Sequence, residues 1–334
     1  MLDGTQPLNM ECDSNHQWRT YARAVKAYTA RQLTNPGDIL NAFSGIANTI
    51  YHGRLIDGLP VSAFDLALLW QPQVLLKRRE GFPSWSWAGW IGQVQHEARC
   101  LEEFEDECDS EREQIEQWVK ARTWIVWHSS RGTHSTAPFY LQNGPPCLHS
   151  SVSIMATRRF PGQSQNVSPT PSLLSTALNI SNKRARENRY LQFWTISAYY
   201  SIELDKSAVL KYSSSEPENM GNGLRRFNLH DKLGQKCGWI LLDKGCIHPF
   251  SNKVEALYEF LILSEIKSSS TSDASMPNEI DTGTKIERNL SEYNSMMVIL
   301  KHGILERAGL GRVESTALVN SCKRPMRWKE ILLG

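Results

Sequence analysis

Cys237, Cys246 and His248, with Cys147 and His149 upstream, are the side chains in this sequence best suited to hold zinc. Thiolate and imidazole are the ligands that ion prefers. Their spacing lacks the paired Cys-x-x-Cys of a structural site, and Cys237 flanks a run of strand length, so buried thiols are expected and no metal is assigned. The acidic run from Leu101 to Asp109 offers carboxylates. It lacks the Asp-x-Asp-x-Asp-Gly order of a calcium loop and reads as a solvated loop or helix face. No nucleophile elbow, Walker A loop or His-Glu-x-x-His is present. A Ser-His-Asp or Cys-His set converges only in three dimensions, so no catalytic or cofactor-binding residue and no cofactor is assigned. Gly221-Asn222-Gly223 and Gly309-Leu310-Gly311 read as turn or bulge glycines, not phosphate cradles.

Pro83-Ser84-Trp85-Ser86-Trp87-Ala88-Gly89-Trp90 offers a different chemistry, three indoles within six residues. Such a cluster either stacks sugars or bases or anchors a core. Alternation through Ser84–Trp87 predicts a strand with Trp85 and Trp87 on one face and the two serines on the other. Stacking platforms are flanked by cationic or polar groups, and Ala88-Gly89 is neither. Core packing where helices meet the first strand is the expectation. Arg31 and Asp38 lie either side of a turn, as a salt bridge or an anion site at a helix start. Asp38 would repel an anion there, so a structural bridge is expected.

The elements that must position these residues fall into two textures. Trp18, Tyr21, Val25 and Tyr28 recur at helical spacing. Asn35-Pro36-Gly37-Asp38 predicts a second helix start, with Asn35 as cap, and Ile39, Leu40, Phe43, Ile46, Ala47 and Ile50 follow with helical period until Gly53. Ser62-Ala63-Phe64-Asp65 resembles a capping box leading into Leu66–Trp70, stopped by Pro72. Beyond residue 83 the runs 123–127, 191–196, 238–242, 258–263 and 296–300 are β-branched and aromatic, of strand length. Helical patterns between them are mostly missing, which favours antiparallel pairing. An α+β protein is expected, a small N-terminal helical part (1–82) packed on a larger antiparallel β-rich body (83–334). The Ser/Pro/Asn-rich stretch at about 129–189 and the polar tract at about 267–291 read as long disordered insertions.

With 334 residues, 40% hydrophobic and 22% charged, the chain is long enough for a sizeable core. A net charge of +2 creates no field demanding nucleic acid or an anionic membrane. The basic patch Lys183–Arg189 reads as a solubilising segment. The first residues lack a basic n-region followed by an apolar run, and no apolar run is long enough to span a bilayer. The seven cysteines have no regular spacing. A cytoplasmic, intracellular protein with reduced thiols is expected.

Several segments, taken in order, resemble the fungal heterokaryon-incompatibility (HET domain) family. Trp18-Arg19-Thr20-Tyr21, Val25 and Tyr28–Thr34 are similar to its "W..Y...V..Y..R.LT" segment, and Asp38–Ile46 to its "D.L.A..GI" helix. Gly58-Leu59-Pro60, Phe64-Asp65, Ala67–Trp70 and Phe82–Trp90 continue the likeness, as do Leu191–Thr195, Gly238–Asp243, Glu306–Arg312 and Trp328–Gly334. The family's "Y.ALSY.WG" and "WIDA.CI.Q" blocks are missing, so the chain is expected to correspond to the region after the HET domain proper, as a truncated relative or an incomplete gene model. The resemblance implies a role in fungal self/non-self recognition and incompatibility cell death. It implies a non-enzymatic regulatory or interaction region, whose partner is a HET-domain protein or another copy of the chain. An enzyme fragment related to TIR-like NAD-cleaving proteins, or a hydrolytic one, is the alternative, followed by a glycan-binding β domain. NAD cleavage would belong to the missing blocks, so the resemblance transfers no catalytic residue.

Overall fold

The structure, a computed structural model, describes residues 16–96, 110–127, 190–205, 224–243, 256–266, 291–323 and 327–334. Essentially all of both expected insertions lies outside these residues, as do the acidic run, the basic patch, Gly221-Asn222-Gly223 and Cys147, His149, Cys246 and His248. The fold is α+β, a few helices beside a large antiparallel sheet.

Helix α1 (Gln17–Thr29) buries Trp18, Tyr21, Val25 and Tyr28, the face its spacing predicts. A 3-10 turn at Pro36–Asp38 starts as expected, with the Asn35 side chain accepting from Gly37 N at 3.1 Å. Helix α2 (Ile39–Tyr51) then buries Ile39, Phe43, Ala47 and Ile50. It stops where His52 enters the left-handed region at φ 51° and Gly53 follows at φ 74°. Strands β1 (Leu55–Ile56) and β2 (Leu59–Pro60) form a hairpin around Asp57-Gly58, both at positive φ, as a primed turn requires.

Two local expectations fail here. Helix α3 is only Phe64–Ala67, and Ala63, with no side-chain cap, holds the N-cap position. Asp65 accepts instead from Trp127 Nε1 at 2.9 Å, so no capping box forms. Trp70, expected in that helix, begins strand β3 (Trp70–Pro72). Strand β4 (Lys77–Arg78) pairs with β5 (Trp90–Ile91), and β3 pairs with β6 (Val94–His96). Helix α4 (Glu111–Arg122), unanticipated from sequence, starts at Ser110, whose side chain accepts from Glu113 N.

The remaining strands are β7 (Val126–Trp127), β8 (Leu191–Leu204), β9 (Leu224–His230), β10 (Lys236–Asp243), β11 (Leu257–Ile266), β12 (Glu292–Lys301), β13 (Ile304–Glu314) and, after helix α5 (Ser315–Val319), β14 (Arg327–Leu333). Their pairing closes on itself. One edge of β8 faces β11, which continues through β12 to β13. Its other edge is shared by β14 along Leu191–Ser197 and β9 along Ser201–Leu204. Strand β10 joins β9 to β13, and β14 reaches β13 at Leu305, a parallel contact. The sheet is therefore a barrel whose gap between β8 and β13 is filled by β9 and β10 at one end and β14 at the other.

Period-two alternation divides the apolar residues. Ile196, Ala198, Tyr200, Phe227, Ile240, Phe260, Ile262, Met297 and Val313 form one cluster that fills the barrel. Phe193, Leu261, Leu263, Met296, Leu310 and Ile331 face the other way and merge with the aromatic residues of α1, α2 and the Trp85–Trp90 segment into a second core. That core also takes Ile115, Trp118 and Val119 of α4, so it draws on both sides of the expected boundary at residue 83.

Candidate functional site

The tryptophan segment is the hub of the second core. Residues 83–86 form a turn and Trp87–Gly89 a 3-10 turn, so the strand expected at Ser84–Trp87 does not exist. Ser86 explains why: its hydroxyl accepts from Ala88 N at 2.9 Å and donates to Asp57 O at 2.5 Å, a local capping bond that competes with strand pairing. Trp85 and Trp87 are buried and Trp90 is half-buried. Neither of the first two presents a face to a sugar.

The polar atoms of the segment are spent on tying distant pieces together. Trp70 Nε1 donates to Trp85 O at 3.0 Å, and Trp90 Nε1 to Ser84 O at 2.8 Å. Trp87 Nε1 donates to the Tyr21 hydroxyl at 3.0 Å, which donates to Gly58 O at 2.8 Å. The Ser84 hydroxyl donates to Gly334 O and accepts from Arg307 N at 2.9 Å, and Pro83 is buried beside it.

Three arginines hold this hub by main-chain carbonyls. Arg78 donates to Gly89 O at 2.6 Å and Phe82 O at 2.5 Å, with its guanidinium 5.5 Å from the Trp90 ring centre. Arg79 donates to Ala88 O at 2.8 Å, Pro36 O at 2.5 Å and Trp90 O at 3.2 Å. Arg307 is buried on β13, donates to Leu68 O at 2.7 Å and to Trp70 O, and stacks 3.6 Å from the Trp70 ring centre. Burial pushes its pKa well below the usual guanidinium value. Arg31 and Asp38, by contrast, form no bridge: the Asp38 carboxylate accepts from Asn35 Nδ2 at 2.9 Å, a nearer donor that already fixes the turn.

A small cleft of about 40 Å³ opens beside Arg307, walled by Trp70, Trp90, Leu75, Leu76, Leu224 and Leu241. His96 and Glu111 lie across the same core. The His96 ring packs edge-on to Trp18 at 4.8 Å, and its Nε2 donates to Ala67 O at 3.3 Å. Burial lowers its pKa to about 4, and the charge of Arg307 adds to that, so the ring is neutral near pH 7. Cys237 is a buried free thiol whose pKa is pushed up by burial, a poor nucleophile. Among the described residues no group of three His, Cys, Asp or Glu is placed to hold a metal, and no helix is long and apolar enough to cross a membrane.

Sequence reasoning missed Arg78, Arg79, His96, Glu111 and Arg307. Arg307 had a signal, for it lies two positions from Leu305 on the buried register of one strand. Arg78 and Arg79, inside Lys77-Arg78-Arg79-Glu80, carry no local signal that separates them from a solvated charge run. In comparisons with known proteins, the chain matches no family model, no curated protein and no solved structure.

Proposed function

We propose that this chain is a regulatory, non-enzymatic interaction region of heterokaryon-incompatibility type, acting in fungal self/non-self recognition. One observation supports the reading: the segments that resemble that family, scattered through the sequence, are hydrogen-bonded to one another. Tyr21, Gly58 and Trp87 form one chain of bonds; Leu68, Trp70, Trp85 and Arg307 form another; Ser84 joins Arg307 to Gly334. The segments that carry the resemblance are thus joined by hydrogen bonds across the fold. Their side chains serve packing and cohesion, which suits a module that works by presenting a surface to a HET-domain protein or to a second copy.

Two measurements test it together. Purified chain incubated with NAD should release nicotinamide no faster than buffer, and calorimetry with a HET-domain protein, or sedimentation of the chain alone, should show association. Sustained nicotinamide release, or association in neither experiment, overturns the proposal.

A further inference from the structure

Arg307 is an unusual resident of a protein core. A guanidinium carries five N–H donors, and here Leu68 O and Trp70 O take one each. Both partners are neutral. Among the described residues no carboxylate lies within ion-pair distance of it, although buried charges are ordinarily paired. The Trp70 ring on one side offers its negative face, which compensates the charge only in part.

The cleft adjoins this cation. Arg307 lines it, Trp70 and Trp90 stand with ring centres 6.3 Å apart, and Arg78 lies beyond Trp90. In the order Arg307, Trp70, Trp90, Arg78, two indoles stand between two cations. Leu75 and Leu76 form an apolar lip, and Leu75 is 41% exposed. Leu224 and Leu241, from β9 and β10 at the closing end of the barrel, complete the wall with Pro72 and with Ala308 and Gly309 beside Arg307.

We propose that this cleft binds a small apolar monocarboxylate, its carboxylate against Arg307 and its hydrocarbon along Trp90 and Leu75. Charge selects the anion, because a carboxylate would complete the neutralisation that the two carbonyls leave undone. Size and polarity select the class. A water needs roughly 10–15 Å³ by the same measure, so about 40 Å³ admits a few heavy atoms, a carboxylate and its first carbon. A phosphate dianion is larger and would lose more hydration between leucine and indole walls. The rest of the ligand lies over the lip, where burying its apolar surface adds affinity. This site stands apart from the interaction role proposed above and does not require it.

Titration of the whole chain with phenylacetate and hexanoate, followed by tryptophan fluorescence and calorimetry, tests the proposal. Dissociation constants on the order of 1 mM or tighter are expected, with hexylamine and inorganic phosphate at least about tenfold weaker. Arg307→Met should abolish carboxylate binding. Since that variant also loses two internal hydrogen bonds, the exposed lip supplies a second test that leaves the core intact. Leu75→Glu should weaken phenylacetate about tenfold and Leu75→Lys should strengthen it. Equal binding of hexylamine and hexanoate, no saturable carboxylate binding, or affinity indifferent to the charge at position 75 would each overturn it.

Discussion

The Glu111 carboxylate, at the start of α4, accepts hydrogen bonds from Trp18 N at 2.7 Å and Arg19 N at 3.3 Å, backbone donors in the first turn of α1. His16 occupies the N-cap of α1 without a side-chain bond, so the cap comes from another helix 93 residues away in sequence. A local cap stabilises one helix, whereas this one also fixes where α4 docks. Its removal should therefore act on tertiary structure.

Glu111→Ala should lower stability by about 1–2 kcal/mol in urea unfolding. Burial raises the Glu111 pKa, opposed by its two backbone donors. Folding thus favours the protonated form, and that contribution is full below the unfolded pKa and lost as pH rises through the folded value. Glu111→Gln keeps an acceptor without the charge and should stay within about 0.5 kcal/mol of the parent at pH 7. A Gln variant as unstable as Ala would show that the charge itself is required.

His96 carries the opposite sign. Its folded pKa, about 4, lies below the ordinary 6.5. Its contribution is full above pH 6.5 and is lost as pH falls through the folded value, for a total of about 3 kcal/mol. Thermal melts from pH 7 to pH 4 should show this decline, and His96→Phe, which keeps the aromatic packing, should flatten it by that amount. An unchanged acid limb in the variant would assign the loss to other groups.

The barrel seam depends on glycine. A Cβ at Gly238 would overlap the Arg312 carbonyl, and one at Gly311 the Trp239 carbonyl, because β10 and β13 meet there backbone to backbone. Gly238→Ala or Gly311→Ala should each cost about 1–3 kcal/mol. Hydrogen exchange should localise the opening to β10 and β13, and spectra unchanged across both strands would contradict the seam.

The bond between Trp87 Nε1 and the Tyr21 hydroxyl predicts a measurable coupling. Tyr21→Phe leaves a buried indole N–H and the Gly58 carbonyl unpaired and should cost about 1–3 kcal/mol. Trp87→Ala, emptying the space between Phe43 and Tyr28, should cost about 3–5 kcal/mol. With Trp87→Phe as the second change, a double-mutant cycle should give a coupling of at least about 0.5 kcal/mol. Strict additivity would mean that the bond contributes nothing.

Local sequence alone determined the helical faces of α1 and α2, the Asn35 cap, the strands at 191, 238, 258 and 296, and hence the α+β class. Those are local matters, set by spacings of two and of three to four residues and by side chains bonding their own backbone. It also marked Trp85 and Trp87 as core, because large indoles rarely stay in water. What the tertiary structure decided is everything that depends on a distant partner. The Trp segment turned instead of extending because the Ser86 hydroxyl found Asp57 O, and Asp38 left Arg31 unbridged because Asn35 was nearer. The closed barrel exists because β10 reaches β13 through glycines whose tolerance for close approach shows only when both strands are in place. Arg307 shows this most clearly: one cation in a strand pattern, it owes its burial and its place beside the cleft to carbonyls more than 230 residues earlier in the chain. Spacing within a strand carries no information about such partners.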